Sequence, residues 1–169
     1  MLETNLAVHR NYGVPYLPGT ALKGLAAHYA SEILGEKHSG LRKDGQDYAV
    51  LFGHQENSGF IRFHDALITP DTAEASFRHD VLTPHHQNYN GSLSSDKHPA
   101  PRDDDSPSPI PFLTAAGDFR IALSCEGFSE DTASWLKLAQ MILSAALQHE
   151  GIGAKTSVGY GRMQEVAES

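Results

Sequence analysis

A single cysteine, Cys125, leaves this chain no partner for an internal disulfide and rules out a multi-cysteine zinc site. No run of 18 apolar residues occurs, so no membrane-spanning helix is expected. The opening residues, Met1-Leu2-Glu3-Thr4-Asn5, carry neither a basic segment nor an apolar signal core. Positive charge is also scarce: 13 Lys and Arg against 21 Asp and Glu leave a formal net charge of −8. That balance argues against a free-standing, non-specific nucleic-acid binder, which would be basic. It leaves room for a locally basic groove, or for a subunit that grips RNA inside an assembly. No internal repeat is evident. These absences together suit a cytoplasmic protein.

What remains is enough for one ordinary domain. At 169 residues, with 40% hydrophobic and 20% charged, the chain can bury a core and is not globally disordered. Ten histidines are many for this length and would add positive charge near pH about 6.5.

The most informative stretch is Gly151-Ile152-Gly153-Ala154-Lys155-Thr156-Ser157-Val158-Gly159-Tyr160-Gly161-Arg162, with four glycines, one Lys and one Arg. Such a loop can turn backbone N–H groups toward a phosphate, with Lys155 as a point charge and Arg162 as a planar fork. A purely structural helix-to-strand connection explains the same glycines. The loop is no P-loop: Ala154 stands where that motif needs Gly before the Lys, and a helical pattern precedes it instead of a strand.

Leu2 to His9 reads as a short strand and Asn11-Tyr12-Gly13 as a turn. Two prolines make Val14 to Gly19 a stiff connector. Thr20 reads as the N-cap of a helix from Ala21 to Leu34, with Leu22, Leu25, Ala26, Tyr29 and Ile33 inward and Gly35 as its stop. Lys23 then falls in the first turn, where the macrodipole disfavours a cation and a bound phosphate would offset the cost. A solvated Lys is the plainer explanation. Glu36 to Gln46 reads as a mobile loop, Tyr48 to Gly53 as a helical turn ended by Gly, and Gly59 to Ala66 as a strand.

His79, Asp80, His85 and His86 cluster within a few residues and are candidate ligands for a divalent metal, although their spacing matches no established motif. Asn90 to Pro111 holds five of the nine prolines and the acidic run Asp103-Asp104-Asp105, the pattern of a long exposed loop. Ile110 to Thr114 and Asp118 to Cys125 read as paired strands joined by Ala115-Ala116-Gly117. Ser129 caps a final helix bearing Trp135, Leu138, Ile142, Ala145 and Ala146 inward, and Val158 to Val166 reads as a last strand. The order of strands around two helices predicts an α+β, ferredoxin-like (RRM-like) sheet, a fold that commonly binds single-stranded RNA.

Several stretches then become recognisable together. Gly13-Val14-Pro15-Tyr16-Leu17-Pro18-Gly19-Thr20-Ala21-Leu22-Lys23-Gly24 resembles the G-x-P-[YF]-[IL]-P-G-[ST]-[SA]-L-K-G motif of the RAMP superfamily of CRISPR proteins. Leu51-Phe52-Gly53 with Gly59 to Ala66 resembles its next motif, and Gly151 to Arg162 its C-terminal glycine-rich loop. Asp80-Val81-Leu82-Thr83-Pro84-His85 with Tyr89 is most similar to RAMP subunits of the Cmr (type III-B) effector complex.

This resemblance implies a single RAMP domain over residues 1–169, with a long flexible loop at about 87–111. It implies a non-catalytic subunit that contacts CRISPR RNA, target RNA and other RAMP subunits near the 3′ end of the guide, without a cofactor or a membrane. The RNA-facing candidates are Lys23, Gly151, Gly153, Lys155, Thr156, Ser157, Gly159, Tyr160, Gly161 and Arg162. Members of the superfamily carry a leading segment with a first strand before the equivalent of Leu2-Glu3-Thr4, so the sheet is expected to be one strand short and self-association to follow. The alternative is a metal-independent endoribonuclease with His9, His28, His85 or His86 as general acid or base and Lys155 at the scissile phosphate.

Overall fold

A computed structural model describes residues 6–54, 56–83, 109–127 and 129–166. The expected long loop, apart from its last residues, lies outside these, as do His85, His86 and Tyr89. The described residues fall into two compact units, one of residues 1–15 and 70–118, the other of residues 16–69 and 119–169.

The larger unit begins with β1 (Tyr16–Leu17) and α1 (Gly19–His28). Thr20 is not the cap. The N-cap is Pro18, whose ring holds φ at −60° with ψ at 134° and whose carbonyl accepts from the N–H groups of Ala21 and Leu22. Asp65 supplies the missing cap from across the fold: its Oδ1 accepts from the Gly19 N–H at 2.7 Å. Residue 19 must be Gly because a Cβ there would collide with the Phe63 carbonyl.

Helical structure continues past α1 as a π turn (Tyr29–Ile33) and a 3-10 turn (Leu34–Glu36). The wider turn shifts the register. Leu22, Ala26, Tyr29 and Ala30 are buried as the apolar spacing requires, but Ile33 is 46% exposed and Gly35 is buried within the run instead of ending it. The polar stretch after it is held down: Leu41 is buried in a 3-10 turn (Ser39–Leu41), and the Arg42 Nε–H donates to the Gly35 carbonyl at 2.9 Å.

Helix α2 (Gln46–Phe52) stops at Gly53, where φ is +86°. The expected strand from Gly59 to Ala66 is two strands, β2 (Ile61–Phe63) and β3 (Ala66–Ile68), which break at His64-Asp65 and enter different sheets. Strand β3 lies between β1 and β6 (Phe119–Arg120), and β2 pairs with β7 (Leu123–Cys125), all antiparallel.

Helix α4 (Glu130–His149) has the expected start: the Ser129 Oγ accepts from the Thr132 N–H at 3.2 Å, and Thr132 Oγ1 accepts from the Ser129 N–H at 2.7 Å. Its inner stripe of Ala139, Ile142, Leu143, Ala146 and Leu147 joins Leu22, Leu51, Phe52 and Ile61 in one core, with Trp135 packed at the margin. Burying side chains such as Leu22 and Ile142 favours folding by about 1.5–3 kcal/mol each.

The smaller unit contains α3 (Pro70–Ala73) and the antiparallel pair β4 (Phe77–Leu82) and β5 (Ile110–Ala115). Here too the pairing differs from expectation: β5 pairs with β4, not with the strands that follow it. Of the expected first strand, residues 2–5 lie outside the described residues, and Val8 forms a single bridge to Pro15. The turn between is as read, with Gly13 at φ +67° and its N–H donating to the His9 carbonyl at 2.8 Å.

Candidate nucleic-acid interface

The glycine-rich loop starts where two helices end together. Tyr29 Oη lies 2.8 Å from His149 Nδ1, and His28 Nε2 is 3.9 Å from Glu150 Oε1. Gly151 follows, buried, with its N–H on the Ala146 carbonyl at 3.1 Å. The loop is then clasped shut by the Ile152 N–H, which donates to the Gly161 carbonyl at 2.9 Å, and the Met163 N–H returns the chain to the Leu147 carbonyl at 3.0 Å.

The four glycines do two jobs. At Gly161 a Cβ would run into the Ile152 carbonyl, and at Gly151 it would press on the Tyr160 carbonyl at 3.0 Å, so the clasp excludes side chains. Gly153 and Gly159 face open space and are needed for φ of +96° and +99°. Between them Lys155 takes the left-handed conformation at φ +62°, the one non-glycine among the described residues with positive φ. Its carbonyl accepts from the N–H groups of Val158 and Tyr160, at 3.2 and 3.3 Å. The expected last strand is a 3-10 turn (Thr156–Val158) followed by a non-helical, non-strand run to Val166. The strand expected from Val158 to Val166 gives way to the torsions that the glycines impose.

Loop residues Gly153, Ser157, Gly159 and Arg162 are exposed, whereas Lys155, Thr156, Tyr160 and Gly161 are half-buried. The N–H of Gly159 is spent on the Thr156 carbonyl at 3.0 Å, and that of Tyr160 on Lys155. What the loop offers at these positions is side chains more than a cradle of N–H groups.

Lys23 is placed differently from the expectation. Because α1 begins at Gly19, Lys23 is its fifth residue, beyond the turn on which the macrodipole acts. The Asp65 carboxylate already occupies the Gly19 N–H, so the argument for a phosphate at this helix end falls. Lys23 is half-buried, on the helix whose far end meets the start of the loop.

Of the histidine candidates, His85 and His86 lie outside the described residues, and His9 and His28 each have a partner within their own unit. His28 faces Glu150, and His9 stacks on Tyr12 in the other unit. His79 and Asp80 are neighbours on β4 and so point to opposite faces. Among the described residues no group of three His, Cys, Asp or Glu could hold a metal ion, and no helix is long and apolar enough to cross a membrane.

Asp65 was invisible in the sequence as a cap, since it acts 46 residues away from Gly19. A second unanticipated group is the outer face of β2 and β7. His64 Nε2 lies 2.7 Å from Ser124 Oγ, and Arg62 pairs with Glu126 beside an open groove lined by Val50, Gly59 and Phe60. The exposed positions of the alternating run Arg62–His64 were its signal.

The RAMP superfamily model matches residues 2–164. This chain belongs to the RAMP superfamily. It is similar to the CRISPR system Cmr subunit Cmr6 of Pyrococcus furiosus, 27% identical over 213 residues that cover 96% of this chain and 62% of that protein. It is also similar to the Cmr6 subunit of Saccharolobus solfataricus, 29% identical over 165 residues, 95% of this chain and 48% of that one. The chain thus spans about half to three-fifths of the length of these relatives. Among solved structures it resembles a chain of the type III-B Cmr-beta complex bound to cognate target RNA, with TM-score 0.65, 28% identity, and coverage of 93% of this chain and 47% of that chain. It also resembles the crystal structure of Cmr6 from Pyrococcus furiosus, with TM-score 0.58, 26% identity, and coverage of 94% and 85%. The RAMP fold here is a mixed helix and strand arrangement with small antiparallel sheets.

Proposed function

We propose that this chain is a non-catalytic RNA-binding subunit of a type III-B CRISPR (Cmr) RNA-guided, RNA-targeting complex. In this reading it contacts the CRISPR RNA, the target RNA and neighbouring RAMP subunits near the 3′ end of the guide, in antiviral defence in the cytoplasm. Its small sheets are parts of one ferredoxin-like RAMP domain over residues 1–169. Similarity to two Cmr6 subunits and to a chain of an RNA-bound Cmr assembly supports the class of partner.

The observation that carries the reading is the clasped loop that holds Lys155 at φ +62° and ends on exposed Arg162. A closed loop of this kind presents two cations with little ordering left to do when a phosphate arrives. Lys155 and Arg162 hold phosphates, Thr156 and Ser157 add hydroxyl donors, and Tyr160 offers a ring edge to a base. The glycines at 151, 153, 159 and 161 shape the loop, and Lys23 contributes charge from α1. An acidic chain binds RNA in this way when its cations are gathered in one place and the rest of the grip comes from its neighbours.

The test is binding of single-stranded RNA across a salt series, by the chain alone and with its neighbouring subunits, for the natural sequence and for Lys155→Ala/Arg162→Ala. Loss of two phosphate contacts should flatten the slope of log K against log salt by about 1.4. An unchanged slope in both settings would show that the loop is a structural connection only.

A further inference from the structure

The acidic residues of this chain are unevenly spread. None occurs between Glu3 and Glu32, although the whole chain has 21. Within that acid-free stretch lies the turn His9-Arg10-Asn11-Tyr12-Gly13, closed by two backbone hydrogen bonds: the Gly13 N–H to the His9 carbonyl and the His9 N–H to the Val14 carbonyl, both 2.8 Å. Tyr12 is 72% exposed. Its ring is nevertheless fixed, because one face stacks on the His9 ring at a centroid distance of 4.7 Å and 22° between planes. Arg10, exposed on the same turn, makes no ion pair among the described residues.

A large aromatic held in water by a second ring, next to an uncommitted guanidinium and within a stretch that carries no carboxylate, has the chemistry of a single-nucleotide site. The stack leaves one face of Tyr12 open, its orientation is already set, and the ring costs little entropy to present. The geometry points to the 9–13 turn as a base-stacking site for single-stranded RNA, with a nucleobase on the open face of Tyr12 and its phosphate on Arg10. This inference rests on the RNA-binding reading above but uses none of the glycine-rich loop. It assigns a contact that reads bases, whereas the loop reads phosphates.

The two contacts separate with two strands. One is a uridine-rich RNA carrying a single 2-aminopurine; the other is an abasic strand of the same length. With the full chain, the natural protein should quench the 2-aminopurine on binding. Tyr12→Ala should remove the quench and weaken binding of the base-bearing strand by about fivefold or more, the loss expected for one base–aromatic stack. Tyr12→Phe should keep both, and neither variant should alter affinity for the abasic strand. Because Tyr12 is exposed, unchanged circular dichroism serves as the check on folding.

Absence of a quench in the natural protein overturns the inference, as does a Tyr12→Ala variant that binds the base-bearing strand unchanged. Equal weakening on both strands also overturns it, since stacking needs a base. In each case the loop reading stands if Lys155→Ala/Arg162→Ala still weakens the abasic strand, and it falls separately if that variant does not.

Discussion

Tyr29 Oη and His149 Nδ1, 2.8 Å apart, tie the end of α1 to the end of α4 two residues before Gly151. Tyr29 is 7% exposed while His149 is exposed, so removing the hydroxyl leaves an imidazole nitrogen that water can satisfy. Tyr29→Phe should therefore cost only the net worth of one hydrogen bond, about 0.5–1.5 kcal/mol. For a chain of this size that lowers the thermal midpoint by roughly 2–4 °C per kcal/mol. A midpoint unmoved by the substitution would show that the bond is exchanged for water at no cost. Tyr29→Ala also removes core volume and should cost about 3–5 kcal/mol, like other large aromatic truncations.

The bond from the Gly19 N–H to Asp65 Oδ1 makes a second prediction. Asp65→Ala should destabilise by about 1 kcal/mol, the usual worth of a lost N-cap, and Asp65→Asn by less because its amide oxygen still accepts. Gly19→Ala should be worse than either, as its Cβ meets backbone, not a flexible side chain, at Phe63. Urea denaturation of the three variants gives the order. If Asp65→Ala matches the natural protein, the carboxylate is not the cap in solution.

Alanine at Gly161 and at Gly159 should behave differently although both glycines have positive φ, +71° and +99°. At Gly159 the new Cβ meets nothing, so the cost is backbone strain of about 1–2 kcal/mol. At Gly161 it also meets the Ile152 carbonyl, which forces the clasp open. Amide hydrogen exchange should report this directly: faster exchange at the Ile152 N–H in Gly161→Ala, and little change in Gly159→Ala. Equal protection in both would place the closure of the loop elsewhere.

What could be read from the sequence was local. The Ser129 cap and the Gly53 stop depend on residues within a few positions of one another and appear where expected, while of the stripe expected on α4 Ile142 and Ala146 are buried and Trp135, Leu138 and Ala145 only flank the core. Some misreadings involve partners distant in the chain, and others local turns that residue spacing does not reveal. Asp65 displaces Thr20 as the cap from 46 residues away. Strand β5 leaves its sequence neighbour Phe119 for β4, and the π turn at Tyr29–Ile33, which apolar spacing cannot reveal, turns Ile33 outward. The loop was legible as glycine-rich, but not which glycines answer to a collision and which to a torsion. That division depends on Ile152 and Gly161 meeting, and on Lys155 adopting a conformation that residue type alone would assign to Gly.

Lys155 itself supplies the most discriminating prediction. A non-glycine residue in the left-handed region costs about 1–2 kcal/mol, against about 0.4–1 kcal/mol lost to unfolded-state freedom when Gly is introduced. At φ +62° with the Val158 and Tyr160 N–H groups already bonded to its carbonyl, residue 155 would hold the same backbone as Gly. Lys155→Gly should thus leave the fold unchanged or raise its stability by up to about 1 kcal/mol, while weakening RNA binding and flattening its salt dependence by about 0.7. Strain kept at a half-buried cation makes sense only if the side chain is used, because a purely structural loop would be better served by a fifth glycine. Denaturation and RNA titration on the same variant decide the matter. Gained stability with unchanged RNA affinity would remove Lys155 from the interface, and lost stability would show that its side chain supports the loop instead of serving a ligand.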